Sequence, residues 1–359
     1  MSTAPLVTVV IPCFDEEGYI ERLLAGLLPQ LQTTATWQLV LVNDSSTDAT
    51  GEILDAASSA SSQVTMVVGL FGSPGGARTA GVAAALAVET PPDWIVTVDA
   101  DVEVSATWLH DWNATIDRVH NHDEYGALNG GEQQAHLFAT LPQASMVSAA
   151  FGHALMTSER AVGITNLNGV NHAVRTSAYL TAGPYLQPTT PGPEGMVSLA
   201  GEDWDLGLRL RLAGYTVGES SAEVVDRGRR LLTDVHAYVS GQAYEGAFRR
   251  LKPTSGASDI DAAQVEMLVD HAIERSLRHF FFKPILAGAV PLTLDIGLNQ
   301  STLDQLSQWM QRWPAPTFAT SRNGFIFGRL PRFCDAFMAT VRSQLSLDLV
   351  TVVRHLKAS

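Results

Sequence analysis

Two aspartates separated by one alanine, Asp99-Ala100-Asp101, follow the apolar run Ile95 to Val98 in the stretch WIVTVDADVEV. Side chains alternate along a strand, so both carboxylates point the same way if strand geometry persists across Ala100. Two carboxylates on one side of a strand's carboxyl end form a seat for a hard divalent cation. Mg2+ or Mn2+ takes oxygen ligands and keeps positions open for substrate phosphates. A lone D-x-D is a weak signal, and a solvated acidic turn is the competing reading. The surrounding elements must decide between them.

Those elements alternate. Leu6 to Ile11 is a β-branched run closed by Pro12, which reads as a buried strand. Apolar residues at 20, 23, 24, 27, 28 and 31 have helical spacing, with Pro29 predicting an end or kink near Leu28. Trp37 to Val42 predicts a second strand, and Ser45 to Asp48 supply cap chemistry for a helix through Ile53, Leu54 and Ala57. Val64 to Val68 predicts a third strand, followed by a glycine-rich turn and an alanine-rich helix to about Val88. Regular alternation of this kind predicts a mainly parallel sheet covered on both faces. Ligands of such sheets bind beyond the carboxyl ends of the strands. Asp15, Glu16, Asp44 and Asp99 all fall at that edge.

Further on, Thr107 to about His120 reads as a helix and Asn121 to Pro142 as a polar loop or insertion. A strand leads into a helix from Thr176 to Gly183, and the proline- and glycine-rich Gln187 to Leu199 reads as a loop. Glu202 and Asp203 stand in the first turn of a helix, where the dipole favours negative charge, and Gly214 suits its C-cap. Past Asp226 the apolar spacing predicts long amphipathic helices with no catalytic signature.

The 359 residues suit one large or two modest domains, and a 46% hydrophobic composition is that of a globular chain. A net charge of −14 argues against nucleic-acid binding, which rests on neutralising phosphates. It also means that an anionic substrate needs a local cation or arginines. Two cysteines, Cys13 and Cys334, point to a reducing cytoplasm. No signal peptide or transmembrane run is expected; the late apolar run Phe280 to Leu292 is broken by Lys283 and two prolines.

The order of motifs resembles the family 2 glycosyltransferases of the GT-A fold. It is carried by Pro12-Cys13-Phe14-Asp15-Glu16-Glu17, Asn43-Asp44-Ser45-Ser46-Thr47-Asp48, Ala77-Arg78-Thr79, Asp99-Ala100-Asp101, Ala182-Gly183-Pro184-Tyr185 and Glu202-Asp203, over residues 5 to 240. Asp15 and Thr79 stand where the family usually has asparagine, Asn43 replaces an aspartate, and Ala182 and Pro184 flank where Gly-Gly is usual. The resemblance implies a GT-A domain over 1–240, divided into a nucleotide-sugar half (1–105) and an acceptor half (106–240), with a helical extension over 241–359.

It also implies roles. Pro12, Phe14, Glu16 and Asp44 would hold base and ribose, with Asp44 accepting from a base N–H. Arg78, at a helix start after a glycine-rich turn, would meet phosphate. Asp99, Ala100 and Asp101 would bind the nucleotide and a Mg2+ or Mn2+ bridging the diphosphate, with His236 as candidate third ligand. Asp203 would be the general base of an inverting single displacement, with Glu202 its neighbouring candidate. Asn171 and Arg175 are candidates for donor phosphate or acceptor contacts, and Arg227, Arg229 and Arg230 form a basic cluster that could close over the diphosphate.

The implied partners are a UDP-, GDP- or dTDP-sugar donor and a hydroxyl acceptor, whether glycan, lipid or small molecule. The C-terminal helices would shape the acceptor site, form a homodimer or touch a membrane-bound lipid acceptor. Two rivals stand beside this reading. A sugar-nucleotide nucleotidyltransferase would carry a basic glycine-rich loop after the first strand, where this chain has the acidic PCFDEEGY. A catalytically degenerate GT-A scaffold would share the fold without the chemistry.

Overall fold

The computed structural model describes residues 4–133, 167–186, 189–192, 195–198 and 202–226. The predicted C-terminal helices, His236 and the cluster Arg227, Arg229 and Arg230 lie outside the described residues. Two units divide the chain: one holds Met1–His136, Asn166–Gln187 and Gly201–Arg229, the other Leu137–Thr165, Pro188–Ala200 and Arg230–Ser359. In the second unit the described residues form a two-stranded antiparallel hairpin, β8 (Thr189–Gly192) and β9 (Gly195–Ser198). This corrects the loop expected over Gln187 to Leu199. Its Pro and Gly residues carry turn chemistry, but short hairpin strands accept them because they need few ladder bonds.

Among the described residues the first unit is built on one sheet of eight strands. They are β1 (Val7–Cys13), β2 (Trp37–Asp44), β3 (Val64–Gly69), β4 (Trp94–Val98), β5 (Val102–Val104), β6 (Tyr125–Gln133), β7 (Asn171–Arg175) and β10 (Thr216–Asp226). Their spatial order is β3-β2-β1-β4-β7-β6-β10-β5. The β3-β2-β1-β4 half is parallel, β7 runs antiparallel between β4 and β6, and β6 and β10 are parallel to each other. The helices are α1 (Ile20–Leu31), α2 (Thr50–Ala60), α3 (Pro74–Leu86), α4 (Trp108–Val119), α5 (Thr176–Ala182) and α6 (Glu202–Leu212).

Strand alternation sorts side chains between two apolar cores. Val7, Val9, Ile11 and Cys13 of β1 and Trp94, Val96 and Val98 of β4 join α1, α2 and α4 on one face. Val10 and Ile95, between them, join α3, α5 and α6 on the other. A sheet buried on both faces therefore needs near-continuous apolar strands, as these sequences supply. Helix α3 lies unusually close to the sheet: a Cβ on Gly81 would stand 2.4 Å from Val10 and 2.8 Å from Val42. Helix α1 runs to Leu31 with Pro29 inside its last turn, past the end expected near Leu28. Proline there removes one bond near a frayed end and leaves the rest of the ladder intact.

The polar stretch after α4 is also corrected. Tyr125–Gln133 is a largely buried strand, β6, while 134–142 lie outside the described residues. Its glycines face side chains that occupy the space a Cβ would take. Added Cβ atoms at Gly126, Gly130 and Gly131 would meet Tyr215 at 2.6 Å, Asn171 at 2.1 Å and Glu223 at 2.9 Å. Neighbouring strands thus fill what looks, in one dimension, like a turn-rich tract.

Arg175 and Asn171 belong to this framework. Arg175 donates to the carbonyls of Val119, His120, His122 and Tyr125 at 2.9–3.0 Å, closing the carboxyl end of α4, and stacks over Trp94 at 4.6 Å. It lies opposite Trp94, at the amino end of β4. Asn171 accepts from Trp108 Nε1 and donates to the carbonyls of Gly131 and Ala222. Arg175→Met is expected to lower stability by about 3 kcal/mol, because four carbonyls, that of buried Val119 among them, lose a charged donor. Arg175→Lys should recover only part of this, since an ammonium cannot span the same fork. Urea midpoints of the two variants check it.

Candidate active site

The loops at the carboxyl ends of the strands are stitched to one another before any ligand is considered. Asp15 and Ser45 both adopt left-handed backbone conformations, with φ of 54° and 59°. Aspartate tolerates this geometry because its short carboxylate bonds locally, and here Asp15 Oδ1 accepts from the Thr47 N–H at 2.7 Å. The Glu16 N–H donates to Thr50 Oγ1, the Glu17 N–H to Asp48, and the Ala49 N–H to Glu17. Asp48 also accepts from the Thr50 N–H, a local turn bond two residues on; the N-cap position of α2 is Ala49, without the side-chain cap expected there. Asn43, in the place of a family aspartate, accepts from the Ser46 N–H at 2.9 Å.

Asp44 ends β2 and is 2% exposed. Its Oδ1 accepts from the backbone N–H groups of Phe71 and Gly72 at 2.6 and 2.9 Å, fastening the loop that leads into α3. Ser73 then caps α3 by accepting from the Gly76 N–H, with Pro74 at the first helical position. Glu16 and Asp99 both lie near the end of β1: burial first, and then these two carboxylates, push the Cys13 thiol well up. Cys13 is therefore a neutral, buried group. Phe14 is half-buried and Pro12 lies within β1.

Strand β4 stops at Val98, so Asp99-Ala100-Asp101 forms a turn, not an extension of the strand. The condition for two parallel carboxylates by strand alternation is thus not met; the turn brings them out differently. Ala100 is buried beneath them, while Asp99 and Asp101 are half-buried.

Arg78 gathers the second half of the site. The close approach of α3 puts its guanidinium, 3% exposed, between elements far apart in sequence. One amino group donates to Glu202 Oε1; the other donates to Asp99 Oδ1 at 2.5 Å and to the Gly169 carbonyl at 3.0 Å. Burial alone would depress its pKa, but Asp99, Glu202 and Asp203 together raise it, so the guanidinium stays charged. Its Nε is buried without a hydrogen-bond partner among the described residues. Asp203 packs against the same turn: a Cβ on Gly169 would fall 2.7 Å from Asp203 Oδ2, so a larger residue there would displace the carboxylate. The acidic turn after β4 and the acidic start of α6 therefore meet at one cation.

Behind them lies a buried histidine. His172 of β7 sits opposite Thr97 of β4 and Asn129 of β6. Burial first, then the charge of Arg78, lowers its pKa to about 3. The unfolded chain takes up this proton near pH 6.5 and the folded chain does not. Its contribution is thus complete above about pH 6.5 and is lost as pH falls from there toward 3. Between pH 6.5 and 5 the wild-type chain should lose about 2 kcal/mol through this residue, at up to about 1.4 kcal/mol per pH unit. His172→Asn should flatten that part of the profile in denaturant titrations at pH 7, 6 and 5.

As for a metal, Asp99 and Asp101 present two hard oxygen donors on one turn. Mg2+ and Mn2+ sites of this kind use one or two carboxylates and take their remaining ligands from water and phosphate, so the donor set fits. Among the described residues no group of three His, Cys, Asp or Glu side chains is arranged to hold a metal ion. His172 and Gly169 received no role from the sequence, where the available signal was polar residues inside the otherwise apolar stretch LNGVNHAV; Tyr185 stood in the Ala182–Tyr185 motif without a role of its own.

Residues 8–143 match the model of glycosyl transferase family 2. No curated protein matches the chain. Among solved structures, S. aureus TarS 1–349 is similar at 16% identity, with 94% of this chain and 90% of that chain covered and a TM-score of 0.46. The mannosyltransferase PcManGT from Pyrobaculum calidifontis, in complex with GDP-Man and Mn2+, is similar at 14% identity over 95% and 87% of the two chains, with a TM-score of 0.43. Glucosyl-3-phosphoglycerate synthase from Mycobacterium tuberculosis, with Mn2+, uridine diphosphate and glucosyl-3-phosphoglycerate, is similar at 15% identity over 70% and 82%, with a TM-score of 0.40. These likenesses are too distant to carry chemistry from one chain to another.

Proposed function

From the premise that this chain is a family 2 glycosyltransferase of GT-A fold, we propose that it is a metal-dependent, inverting enzyme. It moves one sugar from a nucleotide-diphospho-sugar to an acceptor hydroxyl. The observation that carries the reading is the convergence of Asp99, Glu202 and Asp203 on Arg78, at the carboxyl end of the sheet. That edge is where open α/β sheets bind their ligands.

Asp203 acts as general base. It takes the proton of the acceptor hydroxyl as that oxygen attacks the anomeric carbon, and the bond from that carbon to the diphosphate oxygen breaks on the opposite face. The electron pair leaves with the nucleoside diphosphate, and the configuration inverts. The pairing of Glu202 with Arg78 supports giving the base role to its neighbour Asp203. Glu202 then serves to orient the start of α6. Asp44, Pro12, Phe14 and Glu16 receive base and ribose. Arg78, enclosed by carboxylates, acts on the site by holding them and not by reaching for phosphate. A divalent cation held by Asp99 and Asp101 supplies, when bound, charge neutralisation on the departing diphosphate.

No helix among the described residues is long and apolar enough to cross a membrane. We place the reaction in the reducing cytoplasm, on the two cysteines of the chain. The division at residue 240 and a homodimer through the helical region beyond it belong to the same proposal.

A thermal-shift series with UDP-, GDP- and dTDP-glucose, each with Mn2+, Mg2+ or neither, tests the donor site. A ligand at a hundred times its Kd stabilises the folded chain by about 2.7 kcal/mol. The expected result is a metal-dependent rise for one nucleotide, lost in Asp101→Asn. No rise with any donor under either metal would overturn the proposal.

A further inference from the structure

Three consecutive carbonyls of the turn before β7 are each taken by a different part of the site. The Asn168 carbonyl accepts from His172 Nδ1 at 2.6 Å, that of Gly169 from Arg78 at 3.0 Å, and that of Val170 from the Asp99 N–H at 3.0 Å. The turn is braced from its other side by the Asn168 N–H on Asn129 Oδ1 and the Val170 N–H on Asn168 Oδ1. Any movement of this turn therefore moves Asp99 and Arg78, and Gly169 carries the contact with Asp203.

A carbonyl can only accept, so His172 carries its proton on Nδ1 and Nε2 must accept. Tyr185 OH donates to that nitrogen at 2.8 Å, and Thr97 Oγ1 lies 3.0 and 3.1 Å from the two ring nitrogens. The Tyr185 carbonyl in turn accepts from Thr79 Oγ1, one residue after Arg78, and the Tyr179 ring packs against Tyr185. His172 is fully buried and Tyr185 is 4% exposed, so neither reaches substrate. We propose that His172 and Tyr185 are positioning residues of the transfer reaction: a neutral wedge that sets the Asn168–Val170 turn, and through it Arg78 and the carboxylates of Asp99 and Asp203. The inference rests on the reading of those groups as the reacting site.

Hydrogen-exchange mass spectrometry on the full chain tests it, with hydrolysis of UDP-glucose plus Mn2+ followed in parallel. In His172→Leu, peptides covering 97–101 and 167–171 are expected to exchange about tenfold faster, while those from β1 and β2 keep their rates. His172→Asn places an amide N–H near the Nδ1 position and should restore protection. Where wild type hydrolyses the donor, kcat should fall in His172→Leu with KM unchanged and recover in His172→Asn. Local exchange as expected without wild-type turnover supports the wedge and counts against the donor reading alone. Unchanged exchange at both peptides, or equal acceleration across the whole chain, overturns the wedge. If His172→Leu does not fold, Tyr185→Phe carries the test: about threefold faster exchange at the same peptides supports the proposal, and wild-type rates overturn it.

Discussion

Replacing Arg78 with methionine is expected to cost about 3–5 kcal/mol of stability, the usual cost of leaving a buried charge without its partner. It is also expected to remove transfer activity. Among the described residues, the guanidinium holds both Asp99 and Glu202 by direct hydrogen bonds. Without it, carboxylates from two separate elements lose their shared counter-ion, and the Gly169 carbonyl loses its bond to α3. Arg78→Lys should fare only slightly better, because one ammonium cannot divide its donors among three acceptors in the same plane. Urea midpoints and donor turnover, measured on both variants, test this. A methionine variant as stable as wild type would show that the carboxylates do not need the arginine.

Asp203→Asn is expected to behave in the opposite manner. Its fold and its nucleotide binding should stay close to wild type, while kcat falls by about 10²–10⁴, the range that general-base removal produces. Glu202→Gln should instead lose stability, since it breaks a buried pair with Arg78. The two neighbours are thus separated by what fails: turnover for Asp203, folding for Glu202. The measurement is a pair of melting curves, with and without Mn2+ and UDP-glucose, set beside initial rates. Should Asp203→Asn turn over at the wild-type rate, the base must be sought elsewhere, with Glu202 first.

Much of this could be read in one dimension because the relevant interactions are local. Strand β4 and helices α1, α2, α3 and α6 follow from apolar period and cap chemistry. The arrival of Asp44 and Asp99 at strand carboxyl ends follows from the alternation of strand and helix. The stretches that misled were those whose neighbours decide. Tyr125–Gln133 looks like a polar loop until Tyr215, Asn171 and Glu223 are found occupying the space beside its glycines.

The division has a physical cause. Residue type and short-range spacing determine which groups are acidic, which turns can form, and which edge of the sheet collects them. The sequence by itself therefore determined the layered α/β class, the carboxylates of the candidate site and the glycosyltransferase resemblance. Partner choice across 124 residues, as in Arg78 with Glu202, depends on how closely one helix approaches a sheet, and so on side-chain volumes at Val10, Val42 and Gly81. Only the tertiary structure decided that Arg78 is an internal counter-ion, that Arg175 closes a helix at the opposite end of β4, and that a histidine with no evident role bonds the turn before β7.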